Sequence, residues 1–223
     1  LENGEKTVGH ALQNYLKRSS VRVEDYVVSV SIDGKEVGII PGGDELTDVF
    51  GKLYSGNYRS PEQWIRKFIE DSKIIEMWDF IILDTVPFYE RRYTISAFSA
   101  ADNVVIVTHP YGAEPHRVKR MYNKLKTGGI DVEKKARLLI NKAGKGEEGK
   151  QPEEKFKDCN IPRFNSVIPD SVYLGRVERQ KNKQGMREVK TEYGRLDKHQ
   201  RDKIENFYKE VKEWLGIAII EYH

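Results

Sequence analysis

The chain has 223 residues and a mass of 25.9 kDa, the size of one ordinary domain. With 33% charged and 38% hydrophobic residues and a mean hydropathy of -0.66, it is too apolar to be disordered throughout and reads as a soluble globular protein. The 38 Lys and Arg against 35 Asp and Glu leave a net charge of +3, so any nucleic-acid contact has to come from local clustering.

Cys159 is the only cysteine, which excludes an internal disulfide, an iron–sulfur cluster and a cysteine zinc cage, and fits a reducing cytoplasmic setting. The aliphatic runs Val104–Val107 and Ile217–Ile220 fall far short of the ~20 residues of a membrane helix. The chain opens on Leu1 without the pattern of a signal peptide, and its start reads as truncated.

In chain order, Val8, Ala11, Leu12, Tyr15 and Leu16 have the spacing of an amphipathic helix that begins almost at the first residue. Tyr26–Ile32 and Glu36–Ile40 flank Asp33-Gly34, which predicts a hairpin because both turn residues tolerate positive φ. Pro41-Gly42-Gly43-Asp44 reads as a strand-to-helix turn with Asp44 as cap. Ser60-Pro61-Glu62-Gln63 predicts a capped helix start, followed by Trp64, Ile65, Phe68 and Ile69 on one face.

From Trp78 onward, short apolar strands alternate with helices, the pattern of a parallel sheet buried on both faces. The expected strands are Phe80–Leu83, Val104–Val107 and Leu138–Ile140, with a shorter one ending at Val167-Ile168-Pro169. A helix is expected over Glu114–Lys126, stopped by Gly128-Gly129, and a last one over about 196–215 with Ile204, Phe207, Val211, Trp214 and Leu215 on one side.

A strand that delivers Asp84 at its carboxyl end places that carboxylate where α/β proteins gather their ligands. There it would either support Mg²⁺ in a nucleotide site or cap the next helix. Gly144–Gln151 satisfies G-x-x-x-x-G-K, but Gln151 stands where a hydroxyl is needed and Glu147 and Glu148 repel phosphate. Gly4-Glu5-Lys6-Thr7 has glutamate where a phosphate loop needs glycine. The five histidines show no ligand spacing with carboxylates or with Cys159, and no hydrolase motif is present.

The order of motifs resembles the ParA/MinD family of deviant P-loop ATPases over nearly the whole chain. Asp84-Thr85-Val86-Pro87 is similar to the family's Walker B D-T-P-P, with valine in place of the first proline. Ala100-Ala101-Asp102, the strand Val104–Val107 and Pro110 follow in the family's order. Leu138–Lys142 resembles the strand ending in the adenine-reading asparagine, and Val167-Ile168-Pro169 resembles the turn beside the base. Val37–Gly43 is similar to the strand and turn before the helix that leads to Walker B.

The resemblance implies an α/β doubly wound, mostly parallel sheet forming a single nucleotide-binding domain over residues 1–223, with its first βα unit missing and the last helix packed on it. The phosphate loop would lie upstream of Leu1, and either Glu2 or an acidic residue just before Leu1 would orient the attacking water. Asp84 would support Mg²⁺, while Asn141, Pro169 and Asp170 would frame the adenine of ATP. The implied activity is ATP-dependent homodimerisation with slow hydrolysis in plasmid or chromosome partition, with a ParB-like partner protein and no membrane anchor.

Between Ser171 and Lys203 stand ten basic residues against five acidic, a local net of +5. Such a stretch is either a solvated helix face or a surface for non-specific DNA, and the family binds DNA near this end. Arg176, Arg179, Lys181, Lys183, Arg187 and Lys190 are the DNA candidates. Two other readings keep the scaffold: a nucleotide-free DNA- or protein-binding module without ATPase activity, and a biosynthetic P-loop relative.

Overall fold

The computed structural model describes residues 7–18, 21–56, 58–85, 90–144, 152–174, 177–181 and 187–216. Among them the strands are β1 (Val28–Ile32), β2 (Lys35–Ile39), β3 (Val104–Thr108), β4 (Ala136–Ala143), β5 (Arg163–Pro169), β6 (Val177–Lys181) and β7 (Arg187–Thr191). The α-helices are α1 (Val8–Arg18), α2 (Glu45–Ser55), α3 (Trp64–Asp71), α4 (Ile74–Met77), α5 (Arg91–Ala100), α6 (Glu114–Thr127), α7 (Val132–Lys135) and α8 (Lys198–Trp214). They fall into two compact units, one built from Leu1–Asp102 with Glu178–Lys190, the other from Asn103–Val177 with Thr191–His223.

The first unit has a helical core. Thr7 caps α1, its hydroxyl accepting the His10 N–H at 3.2 Å, and the helix buries Ala11, Leu12 and Tyr15 against Val49 and Leu53 of α2 and Phe68 of α3. A Cβ on Gly9 would lie 2.8 Å from the Leu46 nitrogen, so glycine there lets α1 and α2 approach closely. The hairpin β1–β2 turns on Asp33 (φ 46°) and Gly34 (φ 81°), both left-handed, as a two-residue turn with the native strand twist demands. β7 adds in parallel to β1, with Val30 opposite Arg187, giving the strand order β2-β1-β7-β6.

Two expected helix starts differ from their prediction. Ser60 has a left-handed backbone (φ 50°) and makes no side-chain cap; Pro61–Gln63 instead form a 3-10 turn that leads into α3, with the Gln63 N–H donating to the Ser60 carbonyl at 2.9 Å. Asp44 precedes α2 without a side-chain capping bond.

The larger correction concerns Phe80–Leu83. Residues 78–85 form neither strand nor helix, and Phe80 and Ile82 are 62% and 89% exposed. A strand exists through its ladder, and no other described strand pairs with this run.

The second unit is α/β: a parallel three-stranded sheet of order β3-β4-β5 with flanking helices, compatible with a Rossmann-like fold. The central β4 is buried on both faces at Leu138, Leu139 and Ile140. On one face Leu139, Phe164 and Ile168 pack against Ile204, Phe207, Val211 and Trp214 of α8, as the periodicity of that helix predicts. Arg137 lies over the Trp214 and Phe164 rings at 5.4 and 5.8 Å. α6 ends in a Schellman turn: the Ile130 N–H reaches the Leu125 carbonyl and the Gly129 N–H that of Lys126, with Gly129 at φ 81°.

β5 bulges between its pairings with Leu138 and Ile140. The amides freed there are met by Glu210 of α8, whose carboxylate accepts the N–H groups of Asn165 (2.6 Å) and Ser166 (2.8 Å) and the Ser166 hydroxyl. Among the described residues no helix is long and apolar enough to cross a membrane.

Candidate functional site

The carboxyl ends of the parallel strands converge on the start of α8. Ala143 and Gly144 after β4, Pro169 and Asp170 at the end of β5, and the first turn of α8 line a cavity of about 560 Å³. Strand ends in open α/β sheets leave backbone groups unpaired, which is why ligands collect on this edge.

Three bonds hold the edge together. The Asp170 N–H donates to the Ala143 carbonyl at 3.1 Å, which continues the β4–β5 pairing past the last strand residue. The Gly144 N–H donates to the hydroxyl of Tyr111, in the turn after β3, and a Cβ on Gly144 would lie 2.6 Å from that oxygen. Within β4, Lys142 takes a left-handed backbone (φ 54°), and its N–H donates to the Asn141 side-chain oxygen at 2.9 Å.

The α8 wall is set by a capping box. The Asp197 carboxylate accepts the Gln200 N–H at 2.8 Å, and the Gln200 side-chain oxygen accepts the Asp197 N–H at 3.2 Å. Lys198 and His199 line the cavity between them.

Of the residues expected to frame a base, Pro169 and Asp170 line the cavity; Asn141 stands two residues before Ala143 with its side-chain oxygen engaged by its own backbone. Asp84 belongs to the first unit and is exposed on the irregular 78–85 segment. The cap of α5 is Glu90, whose carboxylate accepts the Tyr93 N–H at 3.1 Å, so Asp84 does not cap that helix. Among the described residues no group of three or more His, Cys, Asp or Glu could hold a metal ion, so these side chains alone do not complete a Mg²⁺ site around Asp84.

Asp102 of the A-A-D motif pairs with Arg66 at 2.7 Å, an exposed contact worth little by itself. Glu2, Arg176, Lys183 and most of the Gly144–Gln151 loop lie outside the described residues. Arg179 and Lys181 fall on β6 and Arg187 and Lys190 on β7, so this part of the basic stretch is strand and not a helix face.

Sequence reasoning did not associate Tyr111, Asp197 or Gln200 with the site. The Asp-x-x-Gln spacing is a legible helix start, but nothing in it tells what that start faces. Comparisons with protein-family models, curated proteins and solved structures find no match to this chain. The fold and cavity therefore define a class only: an α/β protein with a pocket at the carboxyl edge of a parallel sheet.

Proposed function

We propose that the chain is a ParA-like ATPase of DNA partition, a cytoplasmic protein that binds ATP with Mg²⁺, dimerises on it and holds DNA without sequence preference through the basic residues of 176–190. The observation that supports this reading is the cavity at the ends of β4 and β5, beside the asparagine-terminated strand and lined by the turn whose sequence resembles the family's base site. In this reading Pro169 and Asp170 frame adenine, Asn141 stands behind them, Asp84 supports Mg²⁺, and Glu2 or an acidic residue before it orients water. The phosphates require a glycine-rich loop bearing lysine, which neither G-K match within residues 1–223 supplies. A ParB-like protein would stimulate turnover.

A second reading is a nucleotide-free DNA- or protein-binding module on the same scaffold. It is favoured by the exposed position of Asp84 on a segment without secondary structure.

Titration of the native protein with labelled ATP and Mg²⁺, together with DNA-binding anisotropy across a salt series, separates the two. The ATPase reading expects ATP binding at micromolar concentration and nucleotide-dependent DNA binding that weakens steeply with salt. Salt-sensitive DNA binding with no affinity for ATP selects the module; failure of both sinks the partition reading.

A further inference from the structure

We propose that the capping box of α8 discriminates the base: Asp197 and Gln200 present an acceptor and a donor side by side to the amino-bearing edge of an adenine-type nucleoside in the cavity. This rests on the nucleotide reading above and adds to it the residues that choose the base.

The argument starts from what the box leaves unused. Gln200 spends its side-chain oxygen on the Asp197 N–H, so its amide nitrogen keeps two N–H donors. Asp197 accepts one N–H through Oδ1, and a carboxylate has room for about four such bonds. Both residues line the cavity. Each side chain is therefore locked in orientation by one bond and keeps capacity for another, which is the preorganisation a specificity site needs.

The helix that carries them is itself held firmly. α8 is bound to β5 by the three contacts of Glu210 and by the Phe164–Phe207 and Phe164–Trp214 edge-to-face pairs at 5.1 and 5.5 Å. The cavity volume of about 560 Å³ falls in the range of small-molecule sites, roughly 300–1,000 Å³.

Charge sets which end of a nucleotide belongs here. Asp170 and Asp197 both line the cavity and repel phosphate, whereas an exocyclic amino group is a donor that a carboxylate accepts. Adenine offers that amino donor next to a ring-nitrogen acceptor, matching carboxylate and amide in turn. Hypoxanthine reverses both: a carbonyl acceptor beside an N–H donor. It would leave Asp197 facing an oxygen and Gln200 facing a hydrogen, the kind of mismatch that sites built on hydrogen bonds reject strongly.

The test is equilibrium dialysis of the whole protein with labelled adenosine and labelled inosine, neither of which needs a phosphate loop. Wild type should hold adenosine at least about tenfold more tightly than inosine. Gln200→Glu keeps an oxygen for the Asp197 N–H but removes the donor; Asp197→Asn remains a good cap but can turn a donor outward. The two substitutions change charge in opposite directions, yet both should erase or invert the preference for adenosine while the thermal midpoint stays unchanged.

Unaltered discrimination in either folded variant overturns the assignment. So does absence of adenosine binding by wild type at millimolar concentration. If ATP is still bound in that last case, the nucleotide reading survives without this base site; if ATP is not bound either, both fall.

Discussion

Phe80–Leu83 and Val104–Val107 carry one and the same signal, four consecutive apolar residues ending on a side chain with hydrogen-bonding oxygens, yet only the second becomes a strand. Val104–Thr108 pairs residue by residue with Ala136–Ile140, and Ile106 is 7% exposed. Ile82 finds no ladder and is 89% exposed. Apolar character thus makes a strand possible, and a partner at the right distance makes it real, because each backbone N–H and C=O has to be paired with protein or left to water. β3 itself is satisfied on one side only: it is an edge strand of the sheet, with Val105 and Val107 still exposed.

The sharpest way to break the comparison is to make the same substitution in both runs. Ile106→Ala should cost about 2–4 kcal/mol through lost burial and the cavity left behind. Ile82→Ala should change stability by less than about 0.5 kcal/mol. Urea unfolding of the two variants measures both, and equal losses would mean that Phe80–Leu83 is buried in solution.

Glu210 offers the next contrast, since it gives the bulged amides of β5 the acceptor that the Phe80–Leu83 run lacks. Glu210→Ala leaves two N–H groups and a buried hydroxyl without their acceptor and should cost about 2–3 kcal/mol. Glu210→Gln keeps an oxygen in place and should lose less. Hydrogen exchange should localise the effect of the alanine variant to Asn165 and Ser166.

Trp78, the residue before the unpaired run, packs against Gly38 of β2, where an added Cβ would lie 2.6 Å from the indole. Gly38→Ala should therefore destabilise by about 1–3 kcal/mol through overpacking. Gly51→Ala, in the interior of α2 with open space at its Cβ, should stabilise by about 0.5–1 kcal/mol. Thermal melts of the two variants should shift in opposite directions.

The smallest effect concerns Glu90, at the start of the helix that follows the run. Burial opposes its ionisation, but the Tyr93 N–H and the Arg92 guanidinium outweigh this and hold the carboxyl below the usual glutamate range. A depressed carboxyl contributes stability above its unfolded pKa and loses it as pH falls through the folded value. Wild type should therefore lose about 1 kcal/mol more than Glu90→Gln on acidification, read from their thermal midpoints between neutral pH and the acid limb.

Much of the second unit was legible because its signals are local. Val104–Val107, Leu138–Ile140 and the end of the Val167–Pro169 strand all lie within observed strands, and the face of α8 follows from its periodicity. The site was half legible. Pro169 and Asp170 stand on the cavity as the family resemblance expects, whereas Gln200 and Tyr111 reach it through contacts that no short window of sequence contains. The basic stretch was legible as charge but not as structure, since β7 is formed by pairing Val30 with Arg187 across most of the chain.

What the sequence determined by itself are the elements whose bonds close within a few residues: the Asp33-Gly34 turn, the glycine stop of α6 and the Asp197–Gln200 start of α8. Tertiary structure alone decided which apolar runs became strands, which strand the basic segment joined, and that the ends of β4, β5 and α8 enclose a cavity. The physical reason is the range of the bonds. A cap or a tight turn is satisfied by neighbours in sequence, whereas a ladder or a pocket wall needs a partner from a distant segment, and a hydrophobic pattern records the need without naming the partner.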